Sequence, residues 1–125
     1  METGNHDRFE LDELFDFERL DVYRLACEHL EQVIIEGEKL PSKASKQRDH
    51  LDRAADSILF NIAEGSAKPR GSRDRKRFFD IAQASAKECA AVWTNLQMRS
   101  HVSRQISKQA RELLRRIVSM LIRLE

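Results

Sequence analysis

The stretch NIAEGSAKPRGSRDRKRF, residues 61–78, carries Lys68, Arg70, Arg73, Arg75, Lys76 and Arg77 at and just before an expected helix N-terminus. Guanidinium forks bind phosphate through paired hydrogen bonds, and the free N–H groups of a first helical turn also favour anions. That end of a helix already bears partial positive charge, so cations placed there oppose the local electrostatics. A bound phosphate would reverse the sign of the problem. Farther along, Arg104, Lys108, Arg111, Arg115 and Arg116 are spaced to extend a partly continuous basic face. Such a surface suits structured RNA or a duplex held by its phosphates without reading of bases. Phe78 and Phe79 read as core residues, so stacking on unpaired bases is not expected.

A second constellation is polar: Arg53, Asn61 and Glu64, with Ser85 and Glu88 on the following segment. Asn61 follows Ala54 by one heptad, which puts it at the margin of a core. Buried polar groups need partners, so these five residues are expected to form a hydrogen-bond network that fixes register between two helices.

Catalytic patterns do not emerge. No Glu-x-x-His occurs, and His6, His29, His50 and His101 are scattered without ligand spacing. Cys27 and Cys89 sit among apolar neighbours, as packed thiols do, and two cysteines make no disulfide framework. GSAKPRG has neither Walker nor Rossmann spacing. The expectation is a protein without enzymatic activity, metal or cofactor.

The elements that position these residues follow from periodicity. Glu18–Glu36 repeats apolar residues at three and four positions through Tyr23, Ala26, Cys27, Leu30, Val33 and Ile34. Leu51, Ala54, Ala55, Ile58 and Ile62 continue the pattern, with Gly65 expected as a left-handed C-terminal cap. Ser72 suits an N-cap for a third helix through Phe78, Ala82, Ser85, Cys89, Val92 and Leu96. A fourth begins near Ser103 and carries Ile106, Ala110, Leu113, Ile117, Leu121 and Leu124. Short connections between four comparable helices favour an all-α, antiparallel up-down four-helix bundle. Val22, Leu25, Ile35, Ile81, Met120 and Ile122 are more apolar residues than one core needs, which points to a subunit interface.

The 125 residues suit one domain. The formal net charge of +1 conceals a split: residues 1–40 hold twelve carboxylates against four Lys or Arg, and residues 41–125 hold nine against eighteen. Residues 1–17 are expected as a flexible acidic segment, and residues 18–125 as the bundle. No run approaches the roughly 20 apolar residues of a membrane span, and a cytoplasmic location is expected.

The motif RAADSILFNIAEG, with Leu40-Pro41 before it and RFFDIAQASAKE after it, resembles the family of 23S ribosomal RNA intervening-sequence proteins, which includes the accessory variability proteins of diversity-generating retroelements. The likeness spans residues 18–125. Arg53, Ala54, Ser57, Ile58, Asn61, Ile62, Ala63, Glu64 and Gly65 match its second-helix motif, and Ile81, Ala82, Ser85, Ala86 and Glu88 its third. Ala84 departs from the glycine common there. The resemblance implies an up-down bundle assembled as a ring-like homopentamer. It also implies a basic surface that meets RNA or DNA, a reverse transcriptase or another protein. The leading expectation is a non-enzymatic oligomer binding structured RNA at its basic rim. The alternative is an assembly scaffold that binds a protein partner and pairs the rim with acidic segments.

Overall fold

The computed structural model describes residues 12–125, which form four helices and no strand. They are α1 (Asp21–Gly37), α2 (Ser45–Ser66), α3 (Arg73–Met98) and α4 (Arg104–Leu124). Each packs on its neighbours in sequence, and α1 closes on α4; α2 and α3 share the most extensive contact. Three pairs show that α2 and α3 run antiparallel: Gln47 meets Asn95, Ser57 meets Ser85, and Gly65 lies against Phe79.

The apolar stripes meet in one core. Leu51, Ile58 and Ile62 of α2, Phe79, Trp93 and Leu96 of α3, and Ile117 and Leu121 of α4 are fully enclosed. Each such side chain contributes about 1.5–3 kcal/mol by leaving water. Val22 and Leu25 also belong to this core, so they are not surplus. Ile35, Ile81 and Ile122 do face outward, and they are joined by Phe60, which is 62% exposed.

Gly65 is not the left-handed cap expected from the sequence. It lies inside α2, and a Cβ there would stand 2.5 Å from Phe79 Cε1, so glycine permits close helix approach. Positive φ occurs instead at Gly71 and Ser100, in the two turns that flank α3.

Of the acidic segment 1–17, residues 1–11 lie outside the described residues. The remainder leads into a short 3-10 turn, Asp16–Arg19, where Glu18 accepts the N–H groups of Leu14 and Phe15 and the Phe17 ring meets Tyr23 edge-on. From this stretch Phe17 and Glu13 reach α1, through Tyr23 and Arg24.

Candidate nucleic-acid interface

The α2–α3 connection is a tight turn. Ser72 donates its N–H to the Pro69 carbonyl, and Gly71 has φ +79°, a conformation that glycine adopts without Cβ strain. Ser72 then caps α3, its Oγ accepting the Arg75 N–H at 3.1 Å. Antiparallel packing delivers the C-terminal end of α4 to this turn. Its last carbonyls are unpaired within the helix and carry partial negative charge. Gly71 donates its N–H to the Glu125 carbonyl at 3.2 Å, and Gln83 reaches the Glu125 carboxylate at 2.8 Å.

The six cations divide by what they touch. Arg75 is buried: Nε donates to the Leu124 carbonyl at 2.8 Å, Nη1 donates to the Lys68 carbonyl at 3.3 Å, and the guanidinium lies 5.0 Å from the Phe79 ring centre. Burial, together with the charge of Arg70, lowers its pKa, yet it holds two carbonyls as a cation would. Arg75 is thus a buried clamp on α4. Lys76 bonds Asp80 at 2.8 Å, which raises the lysine and lowers the aspartate pKa. Lys68 and Arg77 both approach the Phe78 ring, at 5.7 and 4.5 Å from its centre. Arg70 and Arg73 are exposed and make no ion pair among the described residues. Arg73 and Arg77 border a shallow groove with Lys76, Asp80, Ile81 and Ala84.

The α4 cations do not extend this surface as one face. Arg104 starts α4 at the end remote from Leu124, about 30 Å away at about 1.5 Å rise per residue. Arg104, Lys108 and Arg116 border the α1–α4 groove. Arg111 and Arg115 line a separate depression with Lys87 on the α3 side, where Arg111 Nε donates to Ser107 Oγ at 3.0 Å and Arg115 pairs with Glu112. The expected basic face is therefore three clusters: antiparallel packing puts the starts of α3 and α4 at opposite ends, and the α4 cations border two different depressions.

The polar constellation also divides. Ser57 and Ser85 share a 2.8 Å hydrogen bond across α2 and α3, and Asn61 Nδ2 donates to the Ser57 carbonyl and Oγ at 2.8 and 3.2 Å. Glu88 instead pairs with His50, Arg53 pairs with Asp49 on its own helix, and Glu64 is exposed. Ser57, which links Asn61 to Ser85, was not among the expected network residues; its place one turn before Asn61 was the available signal. His29 was likewise unforeseen as a polar core residue: it is fully enclosed and accepts the Trp93 indole N–H at Nε2, 2.9 Å away.

Burial raises both thiols, Cys89 to about 12, so Cys89 is a packed side chain with little thiolate at neutral pH. Among the described residues no cluster of metal-binding side chains forms, and no helix is long and apolar enough to cross a membrane.

These features define a class: a small all-α bundle whose helix ends and grooves carry strongly segregated charge. Within that class the chain belongs to the 23S rRNA-intervening sequence protein family, which matches residues 18–123. No curated protein matches the sequence.

Proposed function

We propose that this chain is a non-enzymatic, self-assembling bundle protein that holds phosphates of structured RNA at the corner formed by Arg70, Arg73 and Arg77. The observation that carries this reading is the state of Arg70 and Arg73. They stand exposed and unpaired among the described residues, on a turn fixed by Gly71 and the Ser72 cap, after Arg75 and the Gly71 N–H have satisfied α4. A rigid turn presenting guanidinium groups beside a helix start is a phosphate-binding arrangement. The family description names a ribosomal RNA element, which favours RNA over other polyanions.

The ring-like homopentamer belongs to the same reading, supported by Phe60 and Ile81 facing outward on α2 and α3. A cytoplasmic protein is the simplest setting for it. The scaffold alternative draws support from Lys76 and Arg75, whose charges are already satisfied within the chain. In that alternative the partner is a protein, such as a reverse transcriptase.

Fluorescence anisotropy with a structured RNA and a DNA duplex, across a salt series, tests the proposal. Arg70→Ala, Arg73→Ala and Arg77→Ala combined should weaken RNA binding at least tenfold. The salt slope should flatten by about 0.9 for each phosphate that the variant no longer neutralises. Equal affinity of the triple variant, or no RNA binding at low salt, would favour the scaffold reading.

A further inference from the structure

A cavity of about 480 Å3 opens beside α1, bordered by Leu59 of α2 and by the segment that leads into α1. Its floor is Tyr23, Cys27, Leu30, Ile34 and Leu59, five side chains that the bundle leaves half-buried. Burial raises the pKa of Tyr23 and of Cys27, so both stay uncharged at neutral pH. The rim is acidic. Glu28 and Glu31 stand on α1, and Asp12, Glu13 and Glu18 on the preceding segment. Arg24 is the one cation at the rim among the described residues, and it pairs with Glu13. Glu18 accepts two backbone N–H groups. The carboxylates of Asp12, Glu28 and Glu31 have no partner among the described residues.

Charge of one sign beside apolar walls concentrates negative potential in the cavity, which repels anions and attracts cations. A bare metal ion would leave the apolar floor unused, and no group of side chains among the described residues is arranged to hold one. A helix with its side chains is about 10–12 Å across, too thick for this volume. The size is that of a small-molecule site, with an apolar surface and a few polar groups to fix orientation. We infer that the cavity binds a small aliphatic amine, a linear chain carrying an ammonium at each end. The methylenes lie along Leu30, Ile34 and Leu59. One ammonium meets Glu28 and Glu31, which are neighbours one turn apart on α1. The other meets Asp12 on the preceding segment. This inference does not rest on the RNA reading, because the cavity shares no residue with the corner of Arg70, Arg73 and Arg77.

Isothermal titration calorimetry of the full chain with octamethylenediamine tests it, with magnesium chloride supplying an equally charged ion that lacks the aliphatic body. The diamine should bind at one site per chain, and an equal concentration of magnesium should not displace it. Glu28→Gln with Glu31→Gln should weaken the diamine at least tenfold. Ile34→Ala trims the floor and should weaken the diamine without changing any magnesium binding. Glu28 and Glu31 also border the α1–α4 groove, so Cys27 serves to fix the place. Cys27 lines this cavity and is half-buried, whereas Cys89 is fully enclosed. A cationic methanethiosulfonate should label Cys27 faster than an anionic one, and saturating diamine should slow that labelling at least fivefold. Labelling is read on the unaltered chain, so it stands whether or not the variants fold as well. Three results would each overturn the inference: no saturable diamine binding, displacement of the diamine by an equal concentration of magnesium, or Cys27 labelling unmoved by the diamine. The acidic rim would then be a solvated surface.

Discussion

Arg75 Nε donates to the carbonyl oxygen of Leu124 at 2.8 Å, joining the first turn of α3 to the last turn of α4. A cation that opposes the electrostatics of its own helix start is favourable at the neighbouring helix end, where carbonyls point outward. Part of the charge anomaly between Lys68 and Arg77 is thereby resolved inside the chain.

Arg75→Ala removes bonds to two carbonyls and the packing on Phe79, leaving partly buried acceptors without their donor. Urea unfolding should show a loss of about 1.5–3 kcal/mol, the range for hydrogen bonds to a charged group. Arg75→Lys should recover little of it, because an ammonium lacks the fork that spans both carbonyls. A loss under about 0.5 kcal/mol, by the standard for surface changes, would show that Arg75 is not a clamp.

Gly65→Ala should destabilise the α2–α3 pair. The added methyl would lie 2.5 and 2.6 Å from the Phe79 ring, which is fully buried and cannot swing aside. Overpacking of this kind costs about 1–3 kcal/mol. Combining it with Phe79→Leu should cost less than the two single effects added together, measurable as a coupling in thermal unfolding.

His29 provides a pH dependence. Burial lowers its pKa to about 4, from an ordinary value of 6.5. Its Nδ1 has no partner among the described residues, so nothing offsets the cost of a buried imidazolium. The unfolded chain takes up this proton first as pH falls below 6.5, so the stability His29 contributes at neutral pH declines until the folded form protonates near 4. Between about pH 7.5 and 5 the loss should be about 2 kcal/mol. His29→Leu should be less stable at neutral pH, since the Trp93 N–H loses its acceptor, but should show a shallower pH dependence. Equal slopes in urea titrations of both proteins would exclude His29 as the source.

Much of the fold was legible because helical periodicity and cap chemistry are local. Ser72 and Ser103 are the N-caps of α3 and α4, each Oγ accepting an N–H three residues on. The four stripes lie on the four helices. The candidate site was less legible, because a basic residue has the same letter whether it faces solvent, a carboxylate or a carbonyl. Lys76, Arg75 and Arg70 are close neighbours in sequence, yet one is paired with Asp80, one is buried on α4, and one is exposed.

The sequence by itself determined the number of helices, the N-caps of α3 and α4 and the charge segregation, since each depends on spacings of a few residues. The family that RAADSILFNIAEG resembles is the one that matches residues 18–123. Tertiary structure alone decided which cations remain free, why Gly65 is glycine and which side chains Ser57 links. These outcomes depend on what an antiparallel neighbour brings to each position. Packing places the C-terminal end of α4 beside Arg75, the Phe79 ring beside Gly65, and Arg104 about 30 Å from the turn it was expected to join.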